Sequence, residues 1–112
     1  MKPINLMLLF CFLVNLCVTV TSVDAERIPG GVQVAWQTVN EFDIIGFNVY
    51  RAKCESCQRV RVNDSLIPAT NPGSLYGDDY SLKVKGHKNA WYWMETISLE
   101  GRPTLFAAGK AD

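Results

Sequence analysis

The sequence predicts an all-β fold: a sandwich of short antiparallel strands preceded by an N-terminal hydrophobic signal helix. Three observations carry this. Apolar residues alternate with period 2, as in Val32, Val34 and Trp36 against Gln33, Ala35 and Gln37, which is the signature of a strand with one buried face. Turn signals such as Pro29-Gly30-Gly31, Asn71-Pro72-Gly73 and Gly101-Arg102-Pro103 interrupt the chain at short intervals. Beyond the N-terminal segment, no stretch sustains the 3.6-residue apolar period of a long helix.

The chain has 112 residues, enough for one small domain. Lys2 is the only charge before Asp24, and Leu6–Val20 is an apolar run broken only by Asn15 and Thr19. That run is shorter than the ~20 residues that span a bilayer comfortably, and its form is that of a secretory signal peptide. Val23 and Ala25 are small residues at −3 and −1, which places cleavage after Ala25. Residues 1–25 are therefore expected to be a signal peptide, or alternatively an uncleaved anchor, and 26–112 the domain. Val18–Glu26 also reads as an edge strand, and the two uses exclude each other.

After the turn at Ile28–Gly31, Val32–Thr38 is the first strand of the domain proper. Asn40–Gly46 is a loop, with room for a helical turn. Phe47–Ala52 is the second strand, Lys53–Gln58 a tight turn, and Arg59–Asn63 a third strand closing a hairpin. Asp64–Ala69 has no clear period, and Asn71–Ser74 is a loop. Tyr80–Val84 is the fourth strand, Lys85–Asn89 a turn, and Trp91–Leu99 the fifth. Thr104–Ala108 is the sixth, and Gly109–Asp112 a tail.

Several of these pieces occur together in a pattern. Trp36-Gln37-Thr38 with Glu41 is followed by Gly46-Phe47-Asn48-Val49-Tyr50-Arg51, and then by Val62-Asn63 with Leu66-Ile67-Pro68-Ala69. Leu99-Glu100-Gly101 with Thr104-Leu105 follows later. The combination resembles a bacterial fibronectin type III-like module of secreted proteins, across roughly Val18 to Gly109. The resemblance implies an immunoglobulin-like sandwich of six to seven antiparallel strands with Trp36, Phe47 and Val49 in its core. It also implies a mostly non-catalytic role. The chain departs from the pattern in two places. The family's first strand falls on the expected cleavage region, and Cys54 and Cys57 stand where small polar residues are usual.

Composition excludes some partners. Eleven basic and eleven acidic residues give zero net charge, so there is no basic excess to neutralise a nucleic acid backbone. Cys54-Glu55-Ser56-Cys57 has redox-motif spacing, but no helical period follows to lower the first thiol's pKa. A disulfide stapling the turn is the simpler reading in an oxidising compartment. Two cysteines plus His87 fall short of the four ligands of a structural zinc site. No metal or other cofactor is expected. His87 lies in a solvated turn, Asp78-Asp79 lacks the loop of a calcium site, and Asn63-Asp64-Ser65 matches a glycosylation sequon.

Trp91 and Trp93 share one face of their strand, opposite Tyr92 and Met94. With Tyr92 and Met94 in the core, the two tryptophans lie on the outside of the sheet beside Tyr50. They then form either a platform for a sugar or a protein or a structural pair covered by Tyr50 and by Arg51, Arg59 and Arg61. The expected function is that of a non-catalytic module, not an enzyme, secreted, periplasmic or held at the cell surface. It would bind a protein or a glycan through Trp91, Trp93 and Tyr50 or through the loops Asn40–Ile45 and Asn71–Gly77. It would touch membrane only through the N-terminal segment. The alternatives are a carbohydrate-binding module using Trp91 and Trp93, a thiol-redox or metal-handling protein using Cys54 and Cys57, and the detached end of a larger secreted protein.

Overall fold

A computed structural model describes residues 19–87 and 89–111. Its strands are β1 (Val20–Ile28), β2 (Gly31–Thr38), β3 (Gly46–Ala52), β4 (Val60–Arg61), β5 (Ile67–Pro68), β6 (Asp79–Val84), β7 (Trp91–Ile97) and β8 (Pro103–Lys110). They form two antiparallel sheets, and the described residues contain no helix. One sheet has the order β1-β2-β6; the other has β4-β3-β7-β8, with β5 also paired to β3. The architecture is a β-sandwich.

The alternating faces explain the packing. Val32, Val34 and Trp36 from β2 meet Phe47 and Val49 from β3 and Tyr92 and Met94 from β7, all buried in one core. Trp36 stacks on Tyr80 of β6, ring centroids 5.6 Å apart, and both rings tilt against Phe47. Such aromatic pairs add about 0.5–1.5 kcal/mol each beyond the area they bury.

β1 starts at Val20 and pairs with β2 from Val20↔Thr38 to Ile28↔Gly31. Pro29-Gly30 joins the two strands, and Gly30, with φ of 85°, takes the left-handed conformation the tight turn requires. β1 lies across the expected cleavage region, with Val20, Val23 and Ala25 packed against the core. Cleavage after Ala25 would remove Val20–Ala25 from it. The rest of the expected signal helix, residues 1–18, lies outside the described residues.

Three elements depart from the sequence reading. The strand expected over Arg59–Asn63 pairs only at Val60–Arg61. The aperiodic stretch after it returns to β3 at Ile67–Pro68, so β4 and β5 are one interrupted edge; the Val62 N–H still donates to Val49 O at 2.8 Å, and residues 63–66 loop out between the two pairings. Asn63 bridges the gap: its Oδ1 accepts the Val49 N–H at 2.8 Å, standing in for the strand bond that is missing. The expected tail is also not a tail. β8 continues to Lys110, which pairs with Trp91, and Ala111 is buried. The pairing shifts after Tyr92↔Gly109 to Trp93↔Ala107, and Gly109, with φ of 94°, accommodates the bulge.

The register fixes the two ends of the molecule. Residue 19 and the loops 39–45, 69–78 and 98–102 gather at one end; the turns 29–30, 53–59 and 85–90 and the end of β8 lie at the other. β1 and β8 contact one another and close one side of the sandwich.

Candidate functional site

Tyr50, Trp93 and Glu95 meet on the outer face of the larger sheet. Tyr50 pairs with Trp93 and Asn48 with Glu95 across β3 and β7. The Tyr50 hydroxyl donates to Glu95 Oε1 at 2.9 Å, and Asn48 Nδ2 donates to the same oxygen at 3.1 Å. Burial first, and then the bond to Glu95, raises the Tyr50 hydroxyl above its ordinary pKa. It is a hydrogen-bonding phenol at neutral pH, not a base.

Of the two arrangements open to Trp91 and Trp93, platform or covered pair, Trp93 takes the covered one. Trp93 is only 6% exposed. The Arg59 guanidinium carbon lies 5.3 Å from its ring centroid, a cation–π cover worth about 0.5–1 kcal/mol at an exposed site. The turn carrying Arg59 is closed by the Cys54–Cys57 disulfide, Cα atoms 5.0 Å apart. Cys57, Arg59, Tyr50, Glu95 and Leu105 line a shallow open hollow of about 580 Å³. Trp91 is half-buried at the end of the strand, opposite Ala52. What the face offers a ligand is Tyr50, Glu95 and the edge of Arg59, not two stacked indoles.

Cys54 and Cys57 are bonded to each other, so neither sulfur is a free thiolate or metal ligand. His87 is exposed, and among the described residues no three His, Cys, Asp or Glu side chains come together. Asp78 and Asp79 are exposed at the start of β6, where Asp78 Oδ1 accepts the Asp79 N–H. The sequon asparagine is not presented to solvent. Asn63 is 8% exposed, and its amide hydrogens go to Asn48 Oδ1 at 2.9 Å and Ser65 O at 2.8 Å.

The loop end of the sandwich is built around Glu41, which has no exposed surface. Its carboxylate accepts from Thr38 Oγ1 at 2.8 Å, from the Asn71 N–H at 2.7 Å and from the Tyr80 hydroxyl. Its own N–H donates to Ser74 O and its carbonyl accepts from Gly73 N. A buried carboxylate is tolerated only when its lone pairs are filled, and here one residue ties the loop 39–45 to the loop 69–78. Outside this joint, Phe42, Leu75 and Tyr76 are 62%, 75% and 76% exposed, with Val39 and Leu99 also open at the same end. The sequence named these loops but not their apolar surface; the signal was the apolar pair Leu75-Tyr76 inside a Pro/Gly loop.

No protein-family model matches the chain, and no curated protein matches it.

Proposed function

We propose that the chain is a non-catalytic, fibronectin type III-like module that works outside the cytoplasm by contacting a protein at the cell surface through its loop end. The observation that carries this is the concentration of exposed apolar side chains, Phe42, Leu75 and Tyr76, on loops that Glu41 holds rigid. Exposed apolar patches of this kind mark contact sites, and rigid support lowers the entropy lost on binding. The two-sheet strand order and the core of Trp36, Phe47 and Val49 support the fibronectin type III-like reading. The disulfide supports an oxidising location.

The test is surface retention of the full chain in the cells that make it. Brief protease treatment of intact cells should release the wild-type chain with Cys54 and Cys57 oxidised. The double variant Leu75→Ser, Tyr76→Ser should be exported equally but washed from the surface. Recovery of the wild-type chain inside cells with both thiols reduced, or equal retention of the variant, overturns the reading.

A further inference from the structure

The side of the sandwich opposite the β1–β8 contact is open. There a cleft of about 770 Å³ runs between the free edge of β6 and the interrupted β4–β5 edge. Its floor is aliphatic: Val62, Ile67, Leu82 and Val84 are half-buried against the core and line it. Its remaining walls are cationic, with Arg51, Arg61, Lys83 and Lys85 against the single carboxylate of Asp64. Among the described residues the one ion pair is Arg102–Glu100, at the far end, so none of these four cations is in a salt bridge. The whole chain is neutral, and this cleft gathers four cations with one carboxylate.

Among the described residues β6 pairs only with β2, and its outer main-chain groups make no bond to another strand. A lysine on such an edge discourages apolar and basic strands. It leaves an acidic strand as the complement.

We propose that this cleft binds an extended polypeptide segment in which apolar and acidic residues alternate, added as a strand to the edge of β6. Main-chain bonds to β6 would hold the segment. A period of 2 sends its alternate side chains to opposite faces, the apolar ones onto Val62, Ile67, Leu82 and Val84 and the carboxylates to the outer face that carries Lys83 and Lys85. An anionic polysaccharide would match the charges but leave both the aliphatic floor and the β6 edge unused. The site deepens the binding-module reading but does not share its residues, so loss of surface retention in the loop variant and loss of peptide binding here are separate results.

The experiment titrates the purified full chain with a labelled synthetic peptide of alternating valine and glutamate matched to the six residues of β6, at low salt. Three controls accompany it: a valine–lysine peptide, the acidic peptide N-methylated on the amides of one pairing edge, and a polyuronate. The acidic peptide should bind and the other three should not. Raising the ionic strength should weaken binding. The exposed pair Lys83→Glu and Lys85→Glu should weaken it about tenfold or more without changing the far-ultraviolet spectrum. Absence of binding overturns the proposal. So does equal binding of the N-methylated peptide or of the polyuronate, which would make the cleft a general anion patch.

Discussion

Glu41 gives the sharpest test of how this fold holds its loops. Replacing it with alanine leaves the buried-side Asn71 N–H without its acceptor, a loss of about 1–3 kcal/mol. The two hydroxyls lose a carboxylate partner but are not orphaned. Thr38 Oγ1 still accepts the Asp78 N–H at 2.9 Å, and the Tyr80 oxygen still accepts the Thr70 N–H at 2.9 Å. About 1 kcal/mol for each brings the expected loss to roughly 3–5 kcal/mol. In a domain of this size each kcal/mol moves Tm by about 4–8 °C, so the variant should melt roughly 12–40 °C lower. Urea denaturation followed by tryptophan fluorescence reads the change directly, with an unchanged m-value showing that the unfolded reference is the same. Glu41→Gln keeps the shape and one acceptor oxygen and should fall between the two. Amide exchange at Asn71 should quicken in both variants. A loss below about 1 kcal/mol for Glu41→Ala would refute the account of Glu41 as the joint between the loops.

Other outcomes follow from the same structure. Asn63→Ala should cost about 2–4 kcal/mol, since it orphans the Val49 N–H within the sheet; enzymatic deglycosylation should leave the mass of the folded wild-type chain unchanged. Tyr92→Phe should be neutral or stabilising by about 1 kcal/mol in thermal melts, because the buried Tyr92 hydroxyl has no hydrogen-bond partner among the described residues. Burial first, and then the bond to Glu41, raises the Tyr80 hydroxyl above its ordinary value of 10.0. The unfolded chain therefore gives up this proton first, so the stability involved is complete below pH 10 and declines as pH rises further. Tyr80→Phe should flatten that alkaline decline while lowering stability at neutral pH. The Cys54–Cys57 disulfide closes only a short loop in the unfolded chain, so replacing both cysteines with serine should cost no more than about 2 kcal/mol. It should also increase acrylamide quenching of tryptophan as Arg59 leaves Trp93.

The parts of the fold legible in the sequence are those set by period 2. Val32, Val34 and Trp36, Phe47 and Val49, and Tyr92 and Met94 each alternate with outward residues, and each lies in the core. The interrupted β4–β5 edge was illegible because two-residue pairings carry no period, and because the bond that bridges them comes from the side chain of Asn63. Glu41 stands in the sequence only as one member of the pattern that begins at Trp36; its burial depends on Asn71 and Tyr80, 30 and 39 positions away, which no local pattern reports. The cover over Trp93 was legible as one of two arrangements. The choice between them was made by the disulfide-closed turn that lays Arg59 across the ring. The cationic cleft was invisible for a different reason: a net charge of zero conceals how the charges are distributed.

The chain enters the sandwich at Val20 and leaves it at Lys110, at opposite ends. Tension applied between those points runs parallel to β1 and β8. The hydrogen bonds of an antiparallel ladder lie across that direction, so the rungs joining β1 to β2 and β8 to β7 are loaded together in shear instead of being unzipped one at a time. Resistance to pulling is set by an unfolding rate and not by equilibrium stability. The molecule should therefore bear load along its length far better than its modest size suggests, and should yield readily if pulled instead from Val20 and the neighbouring loop at Leu75.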